Sequence, residues 1–136
     1  MENINTISVL IVDDEYLIRS LIRNSVRWEA YGMEVVGEAG DGESALSFIR
    51  TFQPQIALVD INMPILNGLE LAQKVREGNY IAAHNELIVT GINPTLNGNE
   101  WTFDWNVDGA TVKRKQNGTD AKFSDILNIG EGSRWY

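Results

Sequence analysis

An unbroken apolar run that ends on a carboxylate, Ile56-Ala57-Leu58-Val59-Asp60, most strongly constrains the fold of this 136-residue chain. A short apolar run with a β-branched member predicts a strand that is buried on both faces, as in parallel sheets covered by helices. In open α/β sheets, ligands bind at the carboxyl ends of the strands. Asp60 is therefore a candidate functional residue, and its alternative role is that of a solvated acid that opens a turn.

Strands and helices are predicted to alternate along the first two thirds of the chain. Four apolar runs predict strands: Ile7–Val12, Met33–Ala39, Ile56–Asp60 and residues 86–90. Three segments with apolar side chains at helical spacing predict amphipathic helices: residues 16–27, residues 43–52 with Asp41 as the cap, and the segment after Asn67. This alternation indicates parallel strands joined by right-handed crossovers, and hence an α/β, doubly wound parallel sheet.

Acidic residues follow two of these strands at the predicted carboxyl edge of the sheet. Asp13 and Asp14 follow the first strand, and Asp60 ends the third. Three carboxylates that converge repel one another unless a cation lies among them or one of them stays protonated. Mg²⁺ suits this place because it prefers oxygen ligands in octahedral geometry and keeps several waters. With the metal bound, one carboxylate could act as a nucleophile toward an incoming phosphoryl group.

Taken together, these segments resemble the receiver domain of two-component response regulators. The resemblance rests on three segments: Val9-Leu10-Ile11-Val12-Asp13-Asp14-Glu15, Val59-Asp60-Ile61-Asn62-Met63-Pro64 and Asn67-Gly68-Leu69-Glu70-Leu71. Val36-Gly37-Glu38-Ala39 followed by Asp41-Gly42 is also similar to receivers, particularly those joined to helix-turn-helix transcription factors. The resemblance extends to about Gly91 and implies a flavodoxin-like fold.

The resemblance implies a role for each matching residue. Asp60 would be the phosphoacceptor, and Asp13 and Asp14 would hold Mg²⁺ directly or through water. Asn62 would give its backbone carbonyl to the metal, and the Thr90 hydroxyl would bond the phosphoryl group and couple it to a surface change. The implied function is a phosphorelay receiver that takes its phosphoryl group from the phosphohistidine of a sensor histidine kinase. Its own chemistry would be limited to self-phosphorylation and autodephosphorylation at Asp60.

The pattern changes after Gly91, where a receiver would continue with a helix, a strand ending in Lys-Pro and a last helix. Three dipeptides there are hairpin signals: Asn97-Gly98, Asp108-Gly109 and Asn117-Gly118. Apolar and polar residues alternate over 100–107, which predicts a half-buried antiparallel strand. A turn at Asp108-Gly109 would pair Trp105 with Val112 and Asp104 with Lys113. We therefore divide the chain into a receiver-like α/β portion, residues 1–91, and a β-hairpin-rich segment packed on the same domain, residues 92–136.

A receiver also has a lysine after its fifth strand. Lys113 or Lys115 matches by position, but neither is followed by proline. In the predicted hairpin, Lys113 would pair with Asp104 on a solvated face, an interaction worth less than ~1 kcal/mol and outside any active site. Lys113 is therefore a doubtful candidate for the phosphoryl site.

Composition restricts the partners and the compartment. The net charge of -8 and the pI of about 4.5 argue against direct binding of nucleic acid, so any action on DNA would need a separate DNA-binding output domain. Cysteine is absent, which excludes disulfides and thiolate metal sites. No apolar run is long enough to span a membrane, and the chain lacks the basic start of a signal peptide. We expect a cytoplasmic protein that contacts no membrane. Its exposed sheet edge could pair with a second copy, so both a monomer and a dimer are consistent with the sequence.

Two other functions remain open on the sequence alone. A chimeric, engineered or degenerate receiver would act as a non-signalling binding or structural module, and the change of pattern near Gly91 is consistent with this alternative. A haloacid-dehalogenase-like phosphatase also uses a strand-end aspartate nucleophile with Mg²⁺. That class normally has a second aspartate two positions after the nucleophile, where this chain has Asn62.

Overall fold

The computed structural model describes residues 6–60, 63, 68–78, 80–82, 85–105 and 110–113. Its strands are β1 (Ile7–Val12), β2 (Met33–Ala39), β3 (Ile56–Asp60), β4 (Glu86–Asn97), β5 (Glu100–Trp105) and β6 (Ala110–Lys113). Its helices are α1 (Tyr16–Ser25), a 3₁₀ helix (Trp28–Tyr31), α2 (Gly42–Phe52) and α3 (Gly68–Glu77). Within these ranges, no helix combines the length and the apolar character that crossing a membrane requires.

Four parallel strands form the centre of the sheet, in the order β2, β1, β3, β4. β5 and β6 extend the sheet antiparallel, and both pair with β4. The chain passes through a helix between each of the parallel strands, as crossover connections require. The α/β, flavodoxin-like, doubly wound fold predicted from the alternating pattern is therefore confirmed.

Both faces of the parallel strands are buried because helices cover them. α2 and α3 cover one face with Ala45, Ile49, Leu71, Ala72 and Val75, which join a cluster with the strand residues Leu10, Val12, Ala57 and Val59. α1 covers the other face, where Ile22 belongs to a cluster with Val9, Ile11 and Leu58. Residues 9–12 and 57–59 are completely buried, which explains why their sequence is continuously apolar rather than alternating.

Side-chain and backbone caps fix the two ends of α2. The Ser44 N–H donates to Asp41 Oδ1 at 2.7 Å, as the sequence predicted, and this bond holds the pKa of the Asp41 carboxyl below its usual value. The helix ends at Phe52, and the next residue, Gln53, has a φ of 50°, which places it in the left-handed region. Pro54 follows and prevents the helix from continuing.

Gln53 also ties the end of α2 to the loop that precedes β4. Its amide nitrogen donates to the Ile49 and Tyr80 carbonyls, both at 2.9 Å. Its amide oxygen accepts from the Ala82 N–H at 2.9 Å and from the Asn85 amide at 3.0 Å. We expect Gln53→Ala to lower the free energy of unfolding by about 1–3 kcal/mol, because several polar partners lose their bonds at once.

Gln53→Gly separates the effect of losing the side-chain hydrogen bonds from the effect of backbone strain at a positive φ. Glycine removes the same side chain but accepts a positive φ without strain, so its loss of stability should be smaller than that of Gln53→Ala. Urea unfolding of the parent and the two variants measures both losses of stability. An alanine variant as stable as the parent would show that this side chain does not hold the loop.

The structure corrects the predicted end of the fourth strand. β4 does not stop at Thr90 but continues to Asn97, so it crosses the predicted division of the chain at residue 91. A two-residue turn then leads into β5, with Asn97 opposite Glu100. Gly98, the first turn residue, has a φ of 65°, a conformation that glycine adopts without strain and that two-residue hairpins require. The hairpin signal of Asn97-Gly98 is thus confirmed.

The predicted pairing of β5 with β6 is wrong. Trp105 pairs with Ile92 rather than with Val112, and Lys113 pairs with Glu86 rather than with Asp104. In the described residues the two short strands lie one after the other along β4 instead of beside each other. The physical reason is the length of β4, whose twelve residues offer a backbone edge long enough to bond both strands. The predicted turn, Asp108-Gly109, lies outside the described residues.

Candidate functional site

Two acids lie side by side at the carboxyl edge of the parallel strands. Val12 of β1 pairs with Val59 of β3, so the next residues, Asp13 and Asp60, are level with each other. Asp13 is completely buried, and Asp60 is 5 % exposed. The structure therefore brings together two of the predicted site residues, at the edge where the sequence placed them.

The backbone and the side chain of Asp13 are fixed by three hydrogen bonds. Its N–H donates to the Ala39 carbonyl at 3.0 Å, and its carbonyl accepts from the Arg19 guanidinium. Its Oδ1 accepts from the Glu15 N–H at 2.8 Å. The other carboxylate oxygen, Oδ2, is buried and has no hydrogen-bond partner among the described residues. A buried carboxylate oxygen without a donor is costly unless a proton or a cation satisfies it.

The pKa of Asp13 is raised from 3.8 to about 8, mainly by burial and, after it, by the adjacent Asp60. Asp60 acts through a side-chain hydrogen bond, which requires a proton on one of the two carboxyl groups, and through its charge. The bond from the Glu15 N–H acts in the opposite direction, and Asp14 contributes a smaller raising effect. Asp13 therefore keeps its proton near neutral pH when no cation is present.

The donor set at this edge fits Mg²⁺. This ion takes one or two carboxylates and completes its octahedron with water or substrate oxygens, so Asp13 and Asp60 are sufficient as protein ligands. The unpartnered Oδ2 of Asp13 supplies an oxygen that a cation would satisfy. The predicted convergence of three acids is not observed, since the described residues contain no group of three acidic or histidine side chains close enough to hold a metal. Asp14 is exposed, and Asn62 lies outside the described residues.

Thr90 lies inside β4 rather than at its end. It pairs with Leu58, two residues before the position level with Asp60, and it is completely buried. Paired residues of parallel strands share a face, so Thr90, Leu58 and Asp60 lie on the same face of the sheet. The Thr90 hydroxyl donates to the Gly91 carbonyl over a long 3.4 Å. The coupling role that the resemblance gives to this hydroxyl stays a prediction.

Lys113 is not brought to the acidic pair. It pairs with Glu86 at the start of β4, whereas Asp60 pairs with Ile92. The six residues from Glu86 to Ile92 span about 20 Å of extended strand, which is well beyond the reach of a lysine side chain. The backbone of Lys113 therefore lies at the opposite edge of the sheet from Asp13.

Sequence reasoning missed the contact that Arg19 and Glu38 make beside this site. Arg19 Nε donates to Glu38 Oε1 at 2.9 Å, while another guanidinium nitrogen donates to the Asp13 carbonyl. The sequence placed Arg19 on the outer side of an amphipathic helix. No local signal marks the pair, because the two residues are nineteen positions apart on different elements.

The fold and the two buried acids define a class of protein: flavodoxin-like α/β domains with an acidic pair at the carboxyl ends of the strands. The family model for the response regulator receiver domain matches residues 9–102. The chain therefore belongs to the response regulator receiver family and is a receiver domain of the kind used in two-component phosphorelays. The match extends beyond Gly91 and includes β4 and the first part of β5.

Known proteins support the same family. An uncharacterized response regulatory protein of Staphylococcus epidermidis is 42% identical over 69 residues, which cover 51% of this chain and 28% of that protein. The nitrate/nitrite response regulator protein NarL of Escherichia coli is 31% identical over 100 residues, covering 68% of this chain and 46% of NarL. The chain thus spans less than half of the length of these relatives.

A solved structure also matches the described fold. The signal receiver domain of a NarL response regulator from Mycobacterium tuberculosis superposes with a TM-score of 0.52 at 29% identity. The match covers 69% of this chain and 71% of that domain. Receiver domains as a class interact with histidine kinases and output domains, and they generally bind Mg²⁺ for phosphorylation.

Proposed function

We propose that this chain accepts a phosphoryl group on the Asp60 carboxylate, with Mg²⁺ held by Asp13 and Asp60. The observation that carries the proposal is the buried Oδ2 of Asp13, which has no partner among the described residues, on a carboxyl group level with Asp60. A pair of buried, charged acids destabilises a fold unless a proton or a cation compensates it, and a divalent cation removes both the repulsion and the missing bond. Membership of the receiver family supports the same assignment.

The reaction follows from the placement of the two acids. An oxygen of the Asp60 carboxylate attacks the phosphorus of a phosphohistidine, the phosphorus–nitrogen bond breaks, and the imidazole leaves with its electron pair. The product is an acyl phosphate on Asp60. Asp13 must lose its proton for the site to hold the metal, because a protonated carboxyl is a poor cation ligand. When bound, Mg²⁺ neutralises charge on the carboxylates and on the phosphoryl oxygens.

The partners proposed for this chain are a sensor histidine kinase and an output domain. The acidic composition is unsuited to holding nucleic acid directly, so an output on DNA would come from a separate domain. We propose the cytoplasm as the compartment. The Asn62 carbonyl and the Thr90 hydroxyl are proposed as further contacts of the metal and the phosphoryl group. The position of Lys113 does not support a role for it at this site.

The proposal is tested by intact mass after incubation with a small-molecule phosphodonor and Mg²⁺. We expect a single phosphoryl adduct on the parent chain and none on Asp60→Asn, because the amide cannot act as the nucleophile. Asp41→Asn is the matched control, since Asp41 is an exposed carboxylate whose known role is to cap α2. That variant should keep the adduct. An adduct on Asp60→Asn, or none on a parent chain that binds Mg²⁺, would contradict the proposal.

A further inference from the structure

Arg19 connects the acidic pair to the outer strand β2. From α1, its guanidinium donates to the Asp13 backbone carbonyl and, through Nε at 2.9 Å, to Glu38 of β2. The Arg19 side chain is 16% exposed, so it is far less accessible than an ordinary surface arginine. Gly40 leaves room for this arrangement, because a β carbon there would lie 3.3 Å from an Arg19 guanidinium nitrogen.

The bond from Arg19 holds the backbone of Asp13 where β1 ends. Asp13 is the first residue after β1, where the regular ladder of the sheet stops holding the backbone. The Ala39 carbonyl fixes the N–H of Asp13, and Arg19 fixes its carbonyl, so both adjoining peptide planes are held. With both planes held, the side chain leaves the backbone in one direction, and the bond from the Glu15 N–H to Oδ1 then limits its rotation.

We propose that Arg19, held by Glu38, is a positioning residue that aims the Asp13 carboxylate at the bound Mg²⁺. This inference rests on the proposed function of the same site. Arg19 does not touch the metal or the phosphoryl group in this role, and it acts only through the Asp13 backbone. Partners that orient metal ligands typically contribute a factor of about 10–100 in metal affinity.

The positioning role and a pure charge effect predict opposite results. Arg19 is a cation close to a site that binds a cation, so removing its charge alone would strengthen the binding of Mg²⁺. Removing its bond to the Asp13 carbonyl frees the carboxylate to turn and would weaken the binding. The sign of the change in affinity therefore separates the two roles.

A neighbouring arginine provides the matched control. Arg23 also bonds Glu38, through Oε2 at 2.9 Å, and the structure gives it no bond to Asp13 among the described residues. Arg19→Gln and Arg23→Gln remove the same charge from the same ion-pair network. Only Arg19→Gln removes the bond to the Asp13 carbonyl. Arg19→Lys keeps the charge but lacks the planar fork that reaches two acceptors at once.

The experiment is a calorimetric titration of the metal-free full chain with MgCl₂, above the raised pKa of Asp13. We expect Mg²⁺ to bind about 10-fold more weakly to Arg19→Gln, more weakly also to Arg19→Lys, and with unchanged or higher affinity to Arg23→Gln. Thermal unfolding without metal verifies that each variant is folded at the titration temperature. If Arg19→Gln is unfolded at that temperature, the Mg²⁺ affinity of Arg19→Lys decides the test instead.

The outcomes separate this inference from the proposed function. Equal or tighter binding of Mg²⁺ by both Arg19 variants would overturn the positioning role while leaving the site intact. A parent chain that binds no Mg²⁺ would instead contradict the proposed function itself. Equal weakening by Arg19→Gln and Arg23→Gln would assign the effect to the ion-pair network as a whole and would also overturn the specific role of Arg19.

Discussion

Asp13→Asn is expected to stabilise the metal-free protein by about 2–4 kcal/mol at alkaline pH. The parent must bury the Asp13 charge beside Asp60 once the pH exceeds about 8, the raised pKa of this carboxyl. Asparagine has nearly the same shape and carries no charge, so it avoids this cost. The pKa rise from 3.8 sets the upper limit at about 1.4 kcal/mol for each pH unit, and relaxation and water entry around the charge reduce the total.

The sign of the pH dependence follows from proton binding. Below pH 3.8 the carboxyl of Asp13 is protonated in both the folded and the unfolded chain, so it contributes no difference. Between pH 3.8 and about 8 only the folded chain keeps the proton, and the stability of the parent falls as the pH rises. Asp13→Asn should lack this fall.

Asp41 has the opposite effect on the pH dependence of stability. Its pKa is lowered by its cap bonds, so the stability that it contributes is lost as the pH falls into the acidic range.

Urea unfolding from pH 5 to pH 9, with and without Mg²⁺, measures this prediction. Mg²⁺ should restore stability to the parent at alkaline pH, because binding to the folded chain alone stabilises it by mass action, and should have little effect on Asp13→Asn. A variant that is less stable than the parent at alkaline pH would mean that Asp13 is charged and well compensated in the metal-free fold. The raised pKa would then be wrong.

The first three strands and helices were predictable because their signals are local. Residues 9–12 and 57–59 are apolar at every position, which only a strand buried on both faces requires, and the structure buries each of them completely. The same reasoning predicted the meeting of Asp13 and Asp60. Parallel strands end at a common edge, so acids that follow two neighbouring strands must lie close together.

Sequence rules failed where a contact depends on elements that are distant along the chain. The predicted pairing of Trp105 with Val112 compared only segments that adjoin one turn, whereas the observed partner, Ile92, belongs to β4. Pro94 and Gly91 are residues that ordinarily mark the end of a strand, yet both lie inside β4. Among the described residues, pairing of β4 with β3 ends at Ile92, so Pro94 has no described partner on that side and its missing N–H breaks no described bond there.

Phe103→Ala is expected to lower the free energy of unfolding by about 3–5 kcal/mol, the usual cost of removing a buried phenylalanine ring. Phe103 lies in β5, beyond the predicted division at residue 91, and is completely buried. It belongs to the same apolar cluster as Leu58 and Ile92, and its ring stacks against that of Trp101 at 6.4 Å between centroids. The loss would therefore show that β5 is part of the receiver core rather than a segment attached to it.

Leu96→Ala is the matched control, because Leu96 lies on the same hairpin but is 52% exposed. Truncating an exposed apolar side chain usually changes stability by less than about 0.5 kcal/mol, so the two variants should differ by several kcal/mol. Urea unfolding followed by far-ultraviolet circular dichroism reports the parallel sheet and its helices together. If Phe103→Ala unfolded at the same urea concentration as Leu96→Ala, the hairpin would not be part of the cooperative core. The stability of the receiver fold would then reside in β1 to β4 alone.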